Sequence, residues 1–258
     1  MKNILSIQNL SVRLTGEGGA DILRHVSFDV PQGVITGIVG GSGSGKTTLG
    51  LAALGLLPEV MERSDGQVVF EGKNIADSSF EEMRAVRGKR ISMAFQEPMS
   101  AFDPVMTIGA QIAETVLAHE SVSHHVARER LLSALRSAGI GDPVRVAAAY
   151  AFELSGGLRQ RAMIAQAIVC QPKLMIADEP TSSLDVHTQA KILELFKELR
   201  RSMGLSIILI THDLGVVRQV ADEVVVLCRG EVVEKGKVEQ VLNSPRMEYT
   251  RKLLEAEG

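Results

Sequence analysis

In the stretch VITGIVGGSGSGKTT, residues 34–48, an apolar run leads directly into a glycine-rich turn. Residues 40–47 match G-x-x-x-x-G-K-[ST] at every fixed position. The run 34–39 predicts a buried strand, and the pattern of 46–57 predicts a helix. Glycines let successive backbone N–H groups turn inward, and the helix N-terminus adds unpaired donors and a positive dipole end. The predicted phosphate-binding residues are Gly40, Gly41, Ser42, Gly43, Ser44, Gly45, Lys46, Thr47 and Thr48.

This turn predicts a site for nucleotide phosphates, with Lys46 reaching the β and γ phosphates and the Thr47 hydroxyl binding Mg²⁺. A glycine-rich turn that binds nothing is the alternative, and the strand and helix on either side argue against it. A second buried-type strand, 173–178, ends in the acids Asp178 and Glu179. We expect Asp178 to hold Mg²⁺ and Glu179 to polarise an attacking water. Alone, such a pair would equally suit an ordinary solvated strand end.

Strands and helices alternate along most of the chain, which predicts an α/β fold with a mostly parallel sheet. The middle differs, because 107–140 has a helical pattern and about 97–165 is long enough for a helical lobe. The other predicted strands are 3–11, 22–30, 66–70, 91–95 and 205–211, and the other predicted helices are 157–170 and 187–202.

Composition excludes several classes of protein. The 258 residues carry 28 Lys and Arg against 31 Asp and Glu, a net charge of −3, and 3% are aromatic. A chain this acidic and this poor in stacking side chains is not expected to bind nucleic acid. Two cysteines, no leader pattern and no apolar run of about 20 residues predict a soluble protein of a reducing compartment.

Four further motifs follow the phosphate loop in a fixed order. Gln96 ends a strand, LSGGLRQR occupies 154–161, SSLD occupies 182–185 and His212 follows the apolar run LSIILIT. With these motifs, the chain resembles the ATP-binding subunits of ATP-binding cassette (ABC) transporters from about Leu5 to Leu254. The resemblance implies one nucleotide-binding domain over 1–258: a P-loop NTPase core of ABC type, an N-terminal antiparallel β subdomain and the helical lobe.

The same resemblance implies the roles of these residues. Two subunits pair head to tail, and each ATP lies between the phosphate loop of one and the signature residues Ser155, Gly156 and Gly157 of the other. Glu179 activates water, while His212 steadies the γ-phosphate and this base. Gln96 contacts Mg²⁺ and senses the γ-phosphate, and Asp185 communicates across the dimer. ATP and Mg²⁺ are therefore the expected cofactors.

Partners and location are also implied by the resemblance. Such a subunit works at the cytoplasmic face of the cell's inner membrane as a peripheral protein. Separate permease subunits supply the pore, an extracytoplasmic substrate-binding protein supplies cargo indirectly, and a second, different ATP-binding subunit completes a heterodimer. Three rivals are a DNA-maintenance ATPase, a two-cassette translation factor and a nucleotide-gated regulatory module. The separation of 109 residues between Lys46 and Ser155 argues against the DNA-maintenance ATPase. The single cassette argues against the translation factor, and the intact Glu179 and His212 argue against the regulatory module.

Two segments favour a branch of the family. QEPMSAFDP at 96–104 and the tail at 244–254 resemble importers of oligopeptides, dipeptides and nickel. The chain lacks the cysteine-bearing extension common in peptide members, so nickel or a metal chelate is the preferred cargo and peptide the alternative. Leu158 departs from the usual signature. Leu14 is expected to stand where relatives carry an aromatic residue that stacks on adenine.

Overall fold

In this computed structural model, residues 2–16 and 18–257 are described, and they form two β-sheets with flanking helices. The strands are β1 (Asn3–Leu14), β2 (Asp21–Pro31), β3 (Ile35–Val39), β4 (Met61–Phe70), β5 (Lys73–Asn74), β6 (Ile91–Ala94), β7 (Leu174–Asp178), β8 (Ser206–Ile210), β9 (Glu223–Cys228) and β10 (Glu231–Lys237). The helices are α1 (Lys46–Ala53), α2 (Phe80–Val86), α3 (Pro98–Ala101), α4 (Ile108–His119), α5 (His124–Ser137), α6 (Pro143–Ala148), α7 (Gly156–Ile168), α8 (Val186–Met203), α9 (Leu214–Val220), α10 (Val238–Asn243) and α11 (Glu248–Glu257).

The larger sheet is mostly parallel, as the sequence predicts. Its strand order is β10-β9-β3-β8-β7-β6, and β10 alone runs antiparallel to its neighbour. The second sheet, β2-β1-β4-β5, is antiparallel. The α/β P-loop fold class is therefore confirmed. The carboxyl ends of β3, β7 and β8 meet at one edge of the parallel sheet, where ligands bind in open α/β folds.

Both faces of the parallel sheet are buried, which explains why its strands are continuous apolar runs. Ile207 and Leu209 of β8 face a core shared with the helices α4 to α8. Ile208 and Ile210 face the opposite way, into a core shared with α1 and the antiparallel sheet. Successive side chains of a strand point to opposite faces of the sheet. Strand β8 therefore packs into both cores, which fixes the position of its carboxyl end.

Helices α3 to α7 occupy the region where the sequence predicts a lobe over 97–165, although α7 continues to Ile168. The helix predicted over 187–202 is present as α8, and it has one apolar face formed by the buried residues Ile192, Leu195, Phe196 and Leu199. Across residues 2–16 and 18–257, no helix combines the length and apolarity needed to cross a bilayer.

Three predicted boundaries are wrong for local reasons. The helix expected over 46–57 ends at Ala53, where Gly55 adopts a left-handed φ of 60°. The helix expected over 107–140 is split into α4 and α5, because Ser123 caps a new helix by accepting a hydrogen bond from the Val126 N–H. The strand expected at 66–70 begins at Met61. A register shift near Gly66, whose φ is 91°, lets the pairing with β1 continue through this turn-like position.

A methyl group at Gly37 is expected to destabilise the protein. Gly37 lies in the centre of β3, and a Cβ there would stand 2.8 Å from Cγ1 of the fully buried Val217. Gly37→Ala should therefore lower the free energy of unfolding by about 1–3 kcal/mol, as overpacking does. Gly141→Ala, where a Cβ meets nothing within 4 Å, is the matched control. Equal denaturant midpoints for both variants would contradict this packing argument.

Candidate active site

The phosphate loop joins β3 to α1, as predicted. Gly43 and Gly45 have φ values of 74° and 99°, which favour glycine. At Gly45 a Cβ would also stand 2.7 Å from the Leu23 side chain, so the loop packs closely on β2. Gly45 supplies no side-chain cap to α1. The amides of the first helical turn therefore have no intrahelical partner and form a donor array suited to an anion.

Lys46 is buried beneath this loop. Its Nζ donates hydrogen bonds to the carbonyl oxygens of Gly40 at 2.8 Å and Gly41 at 3.1 Å. Burial lowers the pKa of Lys46, while the nearby charges of Glu179 and Asp178 act in the opposite direction. The site thus places one cation between the loop and two carboxylates, where it can exchange loop carbonyls for phosphate oxygens.

Asp178 ends β7 and is 2% exposed. The Thr47 hydroxyl donates to its Oδ1 across 3.3 Å. Burial raises the pKa of Asp178; the Thr47 hydrogen bond lowers it, the Glu179 charge raises it and the Lys46 charge lowers it. A hydroxyl oxygen and a carboxylate oxygen side by side form the hard donor set that Mg²⁺ prefers.

Glu179 and His212 meet at the ends of neighbouring strands. His212 Nδ1 lies 2.8 Å from Glu179 Oε1, and the Thr211 hydroxyl donates to Oε2 at 3.4 Å. Glu179 has a φ of 46°, unusual for a residue with a side chain, and its N–H is held by the Ile210 carbonyl at 2.8 Å. Both carboxylate oxygens are therefore fixed on a strained turn, as reactive groups often are.

A cavity of about 770 Å³ brings most predicted site residues together. It is lined by Ile22, Gly40, Gly41, Ser42, Gly43, Ser44, Gly45, Lys46, Thr47, Thr48, Met61, Gln96, Glu179, His212, Leu253 and Ala256. Asp178 lies behind it and connects through Thr47. This volume falls in the usual range for small-molecule sites, so one ligand can contact the loop, the Glu179–His212 pair and Gln96 at once.

The signature residues and Asp185 lie outside this cavity and beside each other. Ser155 caps α7 by accepting a hydrogen bond from the Leu158 N–H, and Asp185 caps α8 by accepting one from the Thr188 N–H. A Cβ on Gly157 would stand 2.9 Å from the Thr188 side chain. The two predicted trans elements therefore form one surface that does not line this chain's own cavity.

Several lining residues were missed by sequence reasoning. Ile22 and Met61 line the cavity in place of Leu14, which is half-buried on β1 and pairs with Met61 across the sheet. Tyr249 belongs to the tail segment used for the branch resemblance but was given no role at the site, although its hydroxyl accepts a hydrogen bond from the Gly41 N–H at 3.0 Å. No local pattern links positions 208 residues apart, so only the partial likeness of the tail hinted at this segment.

Comparison with known proteins places this geometry in a family. A family model described as "ABC transporter" matches residues 23–182. The chain belongs to the ABC transporter family. ATP binding and hydrolysis are therefore the activity of this chain, and the resemblance inferred from the motifs is confirmed. A second model, an AAA domain with a putative AbiEii toxin description, matches the shorter range 147–218.

Individual ABC relatives extend over nearly the whole chain. The dipeptide transport ATP-binding protein DppD of Bacillus subtilis is 46% identical over 98% of this chain and 76% of its own length. OppD of the same organism, named for oligopeptide transport, is 43% identical over 97% and 71%. YejF of Agrobacterium fabrum, named for peptidoglycan transport, is 46% identical, and the chain spans 47% of it. The three names refer to dipeptide, oligopeptide and peptidoglycan transport, and none of the three refers to nickel.

Solved ABC cassettes share the fold. A dimeric structure of MJ0796 bound to ADP and phosphate superposes with a TM-score of 0.80 at 28% identity, covering 91% of this chain and 98% of that one. CbiO1 of Clostridium perfringens, part of the cbiONQ complex, gives 0.82 at 27% identity over 95% and 92%.

Proposed function

We propose that this ABC subunit hydrolyses Mg²⁺-bound ATP to energise import of a peptide-type solute through separate membrane permease subunits. The contact that carries the proposal is the 2.8 Å pair between Glu179 and His212, both of which line the phosphate-loop cavity. A base held within reach of the bound phosphates is what separates an ATPase from a module that only binds ATP.

The residues divide the chemistry among them. The loop amides and Lys46 bind the triphosphate and offset its charge. Glu179 accepts a proton from the attacking water, and His212 with Thr211 holds both oxygens of that carboxylate in place. Gln96 lines the same cavity just after β6, where it would face the γ-phosphate. The geometry thus orients water and phosphate before the reaction begins.

Thr47 and Asp178 would hold Mg²⁺, because their oxygens lie 3.3 Å apart and both are hard donors. The ion supplies charge neutralisation for the phosphate oxygens. Lys46 and the loop amides would add further positive charge at the phosphates.

Asp178→Asn is expected to raise the Mg²⁺ concentration needed for half-maximal ATPase activity by about 10- to 100-fold, since a neutral amide is a weaker ligand. Because burial raises the pKa of Asp178, the unmodified protein should lose Mg²⁺ affinity at a higher pH than an ordinary aspartate site as the solution is acidified. Activity titrated against Mg²⁺ at several pH values checks both points, with the exposed Asp29→Asn as control. An unchanged Mg²⁺ requirement in Asp178→Asn would contradict the assignment.

A second subunit would complete the site, since the surface carrying Ser155, Gly157 and Asp185 does not line this chain's cavity. In the proposed head-to-tail pair each such surface covers the partner's ATP. We propose that the partner is a different ATP-binding subunit. Sedimentation with ATP should show this chain dimerising only when that subunit is added; a stable homodimer formed with ATP alone would contradict the heterodimer.

The names of relatives support a peptide-type cargo, since they include dipeptide transport, oligopeptide transport and, for GsiA of Salmonella typhimurium, glutathione import. We propose that the chain binds at the cytoplasmic face of the cell membrane, with a substrate-binding protein on the far side. Proteoliposomes containing the whole transporter should take up labelled dipeptide in an ATP-dependent manner. Uptake of Ni²⁺ without dipeptide uptake would restore the nickel alternative, and neither uptake would contradict import of both classes.

A further inference from the structure

The cavity has two chemically different ends. The loop glycines, Lys46, Glu179 and His212 make one end polar, while Ile22, Met61, Leu253 and Ala256 supply apolar lining. ATP has the same division, with a charged triphosphate and a flat base whose faces are apolar. Once the phosphates occupy the loop, the base is left with the apolar lining, half of which belongs to α11.

One face of α11 follows the cavity. Tyr249, Leu253 and Ala256 are spaced i, i+4 and i+7, so they share a face of the helix. Tyr249 sits at the phosphate end, where its hydroxyl accepts from the Gly41 N–H at 3.0 Å. Ala256 lies seven residues further on, about 10 Å along the helix axis. The helix therefore leads from the phosphate loop toward the position of the base.

Contacts outside the cavity hold α11 in place. Glu234 of β10 accepts hydrogen bonds from the N–H groups of Arg246, at 2.8 Å, and Met247, at 3.3 Å, just before the helix begins. Thr250 is fully buried, and Leu254 packs against the core formed by β9, α9 and α10. A helix anchored in this way presents a preformed surface to the ligand, which reduces the entropy lost on binding.

We propose that α11 is the base-side wall of the ATP site: Leu253 and Ala256 contact adenine from one side, opposite Ile22 and Met61, and Tyr249 positions the helix on the phosphate loop. This assignment rests on ATP as the ligand of the cavity. It assigns contact with the base to α11 and not to the position of Leu14, and it makes the C-terminal helix a determinant of nucleotide affinity.

The test separates base from phosphates by comparing ATP with inorganic tripolyphosphate, which lacks the base. Titration calorimetry should show Leu253→Ser binding ATP about 5- to 30-fold more weakly, the range expected for losing much of a buried leucine contact, with tripolyphosphate affinity unchanged. Glu255→Ser, an exposed position on α11 that does not line the cavity, is the control and should leave both affinities unchanged. If Leu253→Ser lost equal affinity for ATP and for tripolyphosphate, or lost no affinity for ATP, the proposed contact between α11 and adenine would be wrong.

A second readout does not depend on affinity. The chain contains no tryptophan, so Leu253→Trp places a single reporter on this face. Its emission should be quenched by ATP through stacking on adenine and stay unchanged with tripolyphosphate. Identical responses to both ligands would contradict contact with the base. Failure of the unmodified protein to bind ATP would instead overturn the proposed function, so the two failures are distinguishable.

Discussion

Glu179→Gln is expected to reduce ATP hydrolysis by at least about 100-fold while ATP binding persists, because an amide keeps the shape of the side chain but cannot accept the proton from water. The carboxylate is held by His212 at 2.8 Å and Thr211 at 3.4 Å. These contacts hold the Glu179 carboxylate in one orientation, so no other acid has to move into its place for the reaction.

Two measurements check this expectation. Phosphate release should fall to near background, while calorimetry with ATP should give an affinity close to that of the unmodified protein. Together with its partner subunit, Glu179→Gln should also accumulate as an ATP-bound dimer during size-exclusion chromatography, since hydrolysis no longer releases it. Glu114→Gln, an exposed change on α4, is the control. Normal turnover in Glu179→Gln would place the base elsewhere.

Lys46→Ala is expected to weaken ATP binding by at least about 100-fold. Two charges about 4 Å apart interact by about 4 kcal/mol at an intermediate dielectric, and each 1.4 kcal/mol is about tenfold in affinity. Removing Lys46 takes away the buried cation and leaves Asp178 and Glu179 facing the triphosphate. Both consequences oppose binding.

The pH dependence gives this prediction a definite sign. Because burial lowers the pKa of Lys46, the unmodified protein should lose ATP affinity as the pH rises through that lowered value, and bound phosphate should restore the proton. Calorimetry in buffers of different ionisation enthalpy should therefore detect proton uptake on ATP binding at alkaline pH. The uptake should disappear in Lys46→Ala and persist in the exposed variant Lys191→Ala. Unchanged ATP affinity in Lys46→Ala would contradict the role of this lysine.

Much of the fold was readable from local pattern. The runs 34–39, 173–178 and 205–211 are continuous apolar segments because both faces of the parallel sheet are buried. The sequence did not predict where a turn-like residue interrupts a strand without ending it, or where a cap divides one helical pattern into two helices. At Gly66 a locally favourable turn is overridden by pairing with β1, and at Ser123 a cap divides one amphipathic stretch into two helices.

The sequence by itself determined the phosphate loop, the two acids at the end of β7 and the ATPase family, because each motif consists of residues close together in the chain. Only the tertiary structure decided that Glu179 meets His212, and that Tyr249 reaches Gly41 from 208 positions away. Those contacts depend on the order of parallel strands and on where α11 packs. Such long-range placement is set by burial of whole faces, which no short stretch of sequence encodes.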